Sequence, residues 1–348
     1  MIKSIEFTNY KVLRSAELPL GRFNLLVGPN GSGKSTALEA FHAAGHPHML
    51  NFERIISAEV SQPSEATIEI QISWDEEDYG QVMVVKCEEG RRGDSANYSV
   101  EFLESVKVDN YQQVPDVELI RKGLREQLQS ARVFSFNPRA IARPTKVLPW
   151  IELETDGSNL AGVLDLLQGK EPEKFEALTK ELTRWLPEFD RILLDINREG
   201  EKFFMLRRRG VGRPIPASDL SHGTLIAVAF LTLAFLPQPP SIIGIEEPET
   251  FFHPRLLRDV AENMYRLSYP ENYGDTHAPV QVIATTHSPY LLDHYKEHPE
   301  EIIIAERDER GGHFSRLSDR VDASIFLEGA SLGEVWYSGV LGGVPSRP

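Results

Sequence analysis

Residues 23–36 read Phe23-Asn24-Leu25-Leu26-Val27-Gly28-Pro29-Asn30-Gly31-Ser32-Gly33-Lys34-Ser35-Thr36, and this stretch decides the fold. Five residues, mostly apolar, form a short strand that ends at a glycine. Residues 28–35 fit G-x-x-x-x-G-K-[ST] throughout, and Ala37, Leu38, Glu39, Ala40 and Phe41 then form a helix. The spacing has a chemical reason. Glycines let the backbone curl so that successive N–H groups face a phosphate, and the following helix turns its positive N-terminus to the same anion. Lys34 reaches the β- and γ-phosphates as a point charge, and the Ser35 hydroxyl is a hard oxygen ligand for Mg²⁺. Gly28, Pro29, Asn30, Gly31, Ser32, Gly33, Lys34, Ser35 and Thr36 are therefore the candidate nucleotide loop, in the strand-before, helix-after context that the motif requires.

Working outward, Ile5 and Phe7 mark one face of an N-terminal strand. Thr67–Trp74, Gln81–Cys87 and Tyr98–Val108 alternate with period two, as an antiparallel meander with one wet face does. Helices are expected at Val117–Gln129 and Pro172–Leu186. Another, capped by Ser158, would carry Leu160, Val163, Leu164 and Leu167. The Pro-rich stretch Asn137–Pro149 reads as a surface crossing. In the last third, strands at Ser241–Ile245, Val280–Ala284 and Glu301–Ala305 alternate with helices, which implies a mainly parallel sheet. The expected architecture is α/β: a core from 1–60 and 205–348, an antiparallel β lobe at 64–110 and a helical and linker insertion at 111–204.

The strand Ser241-Ile242-Ile243-Gly244-Ile245 runs into Glu246-Glu247-Pro248. A lone buried charge is costly, and two adjacent carboxylates need a cation, which Mg²⁺ supplies. Glu246 is the candidate metal residue, through a metal-bound water, and Glu247 the candidate base for an attacking water. The alternative is an acidic first turn favoured by a helix dipole. Asp219-Leu220-Ser221-His222-Gly223-Thr224 precedes the apolar run Leu225–Pro237 and reads as a second anion site at a helix start, or as a plain Ser N-cap. Ala284-Thr285-Thr286-His287-Ser288-Pro289 places His287 at a strand's carboxyl end, where it reaches a phosphate or packs as an ordinary polar residue.

The order of these segments, nucleotide loop, LSHGT, IEEPE and TTHSP, resembles the ABC-type ATPases of the RecF/SMC branch. The wording IEEPETFFHP and TTHSPYLLD is similar to the RecF-like ATPases of the OLD (overcoming lysogenisation defect) family. The resemblance covers roughly residues 1–45 and 215–348, and the middle matches only in general pattern. It implies a P-loop NTPase fold, and it implies ATP with Mg²⁺ held between two copies of the chain. Ser221, His222 and Gly223 of one copy would face the γ-phosphate on the other's Lys34, with His287 as the phosphate-sensing switch and His253 in the interface loop. Glu246 stands where relatives carry Asp, and His222 where many carry Gly. Gln62, Gln71 and Gln81 compete as the Mg²⁺-sensing glutamine, and Phe7, Tyr10 and Phe23 as the adenine-stacking aromatic.

Bulk properties bound the partners. With 52 acidic and 37 basic residues the net charge is −15, which does not suit wholesale coating by nucleic acid. Arg207, Arg208, Arg209 and Arg213 are the dense basic cluster, read either as a DNA contact or as a solvated loop. Cys87, the single cysteine, suits a reducing cytoplasm. Met1-Ile2-Lys3-Ser4 leads straight into a strand pattern, so no leader is expected. The run Leu225–Pro237 is shorter than the roughly 20 residues a bilayer span needs and reads as a buried helix. There is no heptad arm. The acids of the turn Ala305–Gly312 (Glu306, Asp308, Glu309) read as a hairpin tip rather than a nuclease centre, so a Toprim domain is not expected and a nuclease effector would be a separate chain. The expected function is an ATP-hydrolysing homodimer that engages DNA or a partner effector in repair or anti-phage defence. A transporter motor and a non-hydrolytic ATP switch are the alternatives.

Overall fold

The computed structural model describes residues 1–49, 51–58, 67–74, 80–88, 97–105, 117–146, 148–149, 151–210, 212–320, 331–339 and 341. The chain divides into two compact units. One comprises Met1–Val133, Pro240–Glu246 and Gln281–Pro348; the other comprises Phe134–Pro239 and Glu247–Val280.

The first unit holds β1 (Ile2–Tyr10), β2 (Leu13–Pro19), β3 (Phe23–Val27), α1 (Lys34–Gly45), α2 (Phe52–Ile55), β4 (Thr67–Trp74), β5 (Gly80–Glu88), β6 (Asn97–Ser105) and α3 (Val117–Gln129). β7 (Arg132–Phe134) follows, and the unit resumes with β11 (Ile242–Glu246), β12 (Gln281–Thr286), α9 (Pro289–Asp293), β13 (Ile302–Asp308), β14 (Gly311–Arg316) and α10 (Leu332–Tyr337). A six-stranded sheet runs β14-β13-β3-β12-β11-β7. Within it β11 and β12, β12 and β3, and β3 and β13 pair in parallel, and β14 closes a hairpin on β13. β3 is buried along its whole length, as a strand covered on both faces must be. A five-stranded sheet, β2-β1-β4-β5-β6, joins the expected meander to the N-terminal hairpin. The alternation in β4, with Ile68, Ile70, Ile72 and Trp74 buried, is the period-two signal read from sequence. These residues share a core with Phe7, Leu26, Leu38, Phe41 and Ile283.

The second unit holds α4 (Pro138–Ile141), α5 (Leu160–Lys170), α6 (Pro172–Trp185), β8 (Phe189–Ile196), β9 (Lys202–Arg208), β10 (Ile215–Pro216), α7 (His222–Ala234) and α8 (Leu257–Ser268). β10, β9 and β8 form an antiparallel sheet. α7 packs on α4, α6 and α8. Every residue of α7 from Thr224 to Ala234 is buried, so the apolar run is a core helix. Phe252 joins Trp185 and Phe230 in edge-on aromatic contacts with centroids 6.1 Å apart.

Some expectations change. The stretch from Asn137 holds a buried helical turn, because Asn137 Oδ1 accepts from Arg139 N at 2.9 Å and Ala140 N at 3.3 Å, and Pro138 opens α4. Val147, within that stretch, lies outside the described residues. α5 starts after Asn159 rather than after a Ser158 cap. The Asn159 side chain is tied to Glu154 N and Glu152 O, so it fixes the entry loop and makes no cap bond. Among the described residues no helix is long and apolar enough to cross a membrane.

Leu26 sits at 0 % exposure in the central strand. Leu26→Ala should cost about 2–5 kcal/mol by cavity creation, read as a fall in the urea midpoint at constant slope. A loss under about 1 kcal/mol would show that the site collapses or that β3 is not the centre of this core.

Candidate functional site

The parallel pairing lines up the carboxyl ends of β13, β3, β12 and β11 in that order. Adjacent strands lie about 4.8 Å apart, so the residues that follow them form a row. Gly28 follows β3, His287 follows β12 and Glu246 ends β11, where it pairs with Thr285. Open α/β sheets bind ligands on this edge.

The loop is shaped by close backbone approach. A Cβ on Gly28 would overlap the Ala305 carbonyl oxygen. Gly33 has φ +106, and a Cβ there would lie 2.6 Å from Leu13 Cδ2. Only glycine meets both demands. α1 then begins with no side-chain cap and no acidic residue in its first turn, which leaves its positive end to an anion. Lys34 is buried inside the loop, and its Nζ donates to Gly28 O at 2.8 Å and Pro29 O at 2.9 Å. Ser32 Oγ is buried with no hydrogen-bond partner among the described residues. These features fit a bound nucleotide phosphate. Ser35 is exposed at the start of α1.

Mg²⁺ is bound through few protein oxygens plus phosphates and water. Among the described residues no group of three or more His, Cys, Asp or Glu can hold a metal by itself. The Ser35 hydroxyl and the Glu246 carboxylate are hard donors that fit this mode, in which phosphate completes the shell. The Thr286 hydroxyl accepts from Ser288 N at 2.9 Å, and Ser288 Oγ caps α9 through Leu291 N at 3.2 Å. His287 is thereby fixed between two capped turns, half-buried.

In the second unit, Ser221 is the N-cap of α7. Its Oγ accepts from Thr224 N at 3.2 Å and pairs with Thr224 Oγ1 at 2.8 Å. Ser221 and His222 are exposed. Glu247 opens the second segment of this unit with φ 43, in the left-handed region, and Phe251 has φ 72. Each costs a non-glycine residue about 1–2 kcal/mol. Thr250 N donates to Glu247 O at 2.9 Å, and Thr250 Oγ1 lies 3.4 Å from Glu247 Oε2. The His222 and Phe251 rings meet edge-on, centroids 5.7 Å apart at 85°. A Cβ on Gly223 would lie 2.8 Å from Phe251 O. Sequence reading missed Phe251. Its signal was the doubled phenylalanine after the carboxylates, of which Phe252 alone is needed in the core. His253 caps the next turn, its Nδ1 accepting from Arg255 N at 3.2 Å.

Other candidates separate. Arg207 is held by Asp190 through two hydrogen bonds, 2.7 and 3.1 Å, and those bonds keep the Asp190 carboxyl below its usual range. Arg208, Arg209 and Arg213 are exposed. Phe7, Tyr10 and Phe23 are at most 2 % exposed. Phe7 stacks on Tyr10, and Phe23 on Tyr295, so they are core residues with no face for adenine. Gln71 Nε2 donates to Glu6 Oε1 at 3.1 Å. Gln62 and the Gln81 side chain lie outside the described residues.

A mainly parallel sheet with a glycine-rich loop between β3 and α1 has the form of a P-loop NTPase. The chain belongs to the family described as "AAA domain, putative AbiEii toxin, Type IV TA system", whose profile matches residues 23–293. It is 24% identical over 346 residues to an OLD nuclease of Thermus scotoductus (strain ATCC 700910 / SA-01). That match takes in 89% of this chain and 63% of the relative, so the chain spans less than two thirds of the relative's length. Among solved structures it is similar to the SMC head domain from Thermotoga maritima, with TM-score 0.48 and 15% identity over 90% of this chain and 98% of the other.

Gly223→Ala should force Phe251 O away from the start of α7. The overpacking cost is about 1–3 kcal/mol, seen as a lower melting temperature. An unchanged melting temperature would mean that the loop yields freely.

Proposed function

We propose that this chain binds ATP with Mg²⁺ and hydrolyses it as a head-to-tail homodimer. The observation that carries the reading is the row of nucleotide loop, His287 and Glu246 on adjacent carboxyl strand ends. Lys34 neutralises the β- and γ-phosphates, and the loop N–H groups and the N-terminus of α1 hold them in place. Ser35, and Glu246 through a metal-bound water, would hold Mg²⁺, which when bound would offset charge on the phosphate oxygens. Glu247 accepts a proton from water as the water oxygen attacks the γ-phosphorus. The bond to the bridging oxygen breaks and ADP leaves with that electron pair. His287 contacts the γ-phosphate, while Ser221, His222 and Gly223 of the second copy close over it.

ATP closes the dimer, and the closed form engages DNA or a separately encoded effector in the cytoplasm. The relative it matches is described as an OLD nuclease, which supports engagement of DNA. Arg208, Arg209 and Arg213 are the candidate nucleic-acid contacts, with Arg207 turned to Asp190. The resemblance to OLD proteins supports a role in DNA repair or anti-phage defence.

Phosphate release should be measured for wild type and Glu247→Gln, with and without linear duplex DNA. Loss of the base should lower turnover about 10²–10⁴-fold, and the variant should elute as a dimer with ATP. Full turnover in Glu247→Gln would remove Glu247 from the chemistry. A variant that stays monomeric with ATP would refute the dimer. Turnover that ignores DNA would redirect the search to a protein partner.

A further inference from the structure

β13 does more than flank β3. It pairs with β3 only from Ile302 to Ile304 and then runs past the end of β3 with Ala305, Glu306, Arg307 and Asp308. The β13–β14 hairpin therefore stands beside the nucleotide loop. Three contacts fix it there. Ala305 O fills the space where a Gly28 Cβ would be. A Cβ on Gly312 would lie 2.6 Å from Ser32 O, and Gly312 N donates to Val12 O at 2.8 Å. Gly31, with φ +78, has Arg307 Nη1 3.8 Å from the position a Cβ would take.

Further contacts brace the hairpin. Glu306 Oε2 stands 3.6 Å from His313 Nε2 on the paired strand. Asp308 Oδ1 accepts from Arg310 N at 2.7 Å. Arg14 reaches across from β2 to the Glu309 carbonyl. The Arg307 guanidinium lies beside the loop at Gly31, on a strand whose Ala305 backbone packs against Gly28. An arginine presents a planar fork matched to phosphate oxygens.

We propose that Arg307 is a second cationic contact, in the same chain as Lys34, for the terminal phosphates of the nucleotide in the Gly28–Thr36 loop. The inference rests on the ATP reading of that loop. The charge favours the triphosphate over the diphosphate, because ATP carries more negative charge at its terminus. The hairpin thereby makes the loop sensitive to which nucleotide is present before any second copy closes on it.

The test is equilibrium titration of the full chain with Mg²⁺ and fluorescent analogues of ADP and of non-hydrolysable ATP. Arg307 is exposed, so Arg307→Ala should keep the wild-type melting temperature. It should bind the ATP analogue about tenfold more weakly and the ADP analogue nearly as wild type. Arg307→Lys should recover part of the loss, and Arg307→Glu should deepen it. Wild-type binding of both analogues by Arg307→Ala would overturn the inference alone. Equal weakening of both would overturn it too, since the contact would then not be to the terminal phosphate. If the wild-type chain binds neither analogue, the ATP reading of the loop itself falls.

Discussion

Backbone packed on backbone at Gly28 is the constraint on which the rest of the first unit depends. β3 is hydrogen-bonded to β12 on one side and β13 on the other, and it is buried on both faces. A strand so enclosed has no free edge, and its chain can leave only at the carboxyl end. There Ala305 O occupies the space of a side chain at position 28. The loop must therefore turn at a glycine, pass Gly31 and Gly33 with positive φ, and enter α1. The uncapped start of α1 follows from the same path. The first N–H groups of a helix lack intrahelical partners, so the path the fold requires also presents a helix start suited to an anion.

The second unit stores strain where the candidate base sits. Glu247 and Phe251 both hold left-handed backbone that costs a side-chain-bearing residue free energy. What fixes them is next door. Phe252 is held among Trp185 and Phe230, and the Phe251 carbonyl rests on Gly223. The aromatic core thus maintains the turn from Glu247 to His253 against the start of α7. The His222 ring packs edge-on against Phe251 at the same place.

Much of this was legible in the sequence where one residue type has one use. Lys34 behind spaced glycines, the apolar strand ending in Glu246-Glu247, and the continuous apolar run of α7 each admit few structures. Period two in Thr67–Trp74 marked a strand of the meander, because every second residue there is buried. β8 and β9 were harder. The burial pattern of β8 begins with Phe189 and Ile192 inside and ends on half-buried and exposed residues, so alternation is weak. The Asn137 turn looked like a surface crossing because prolines mark loops more often than they open helices, and only the Asn137 cap distinguishes the two. Phe251 had only the doubled phenylalanine as a signal, and Arg307 had none in its spacing. Each matters through a neighbour distant in sequence, Gly223 in one case and Gly31 in the other.

Charge shows the same dependence on place. A chain of net charge −15 repels a polyanion at long range, yet ions screen exposed charges beyond about 8–10 Å. What a phosphate meets at the loop is set within that radius, by Lys34, the N–H groups of α1 and the Arg307 guanidinium. At the basic cluster the outcome runs the other way. Arg207 looks in sequence like the head of a nucleic-acid contact, but its fork is already matched to Asp190. An anion reaching that strand must compete with a bidentate carboxylate before gaining Arg207, so the exposed Arg208, Arg209 and Arg213 carry whatever attraction remains. Net charge therefore speaks to encounter, while the pairing of individual arginines decides which surface holds an anion.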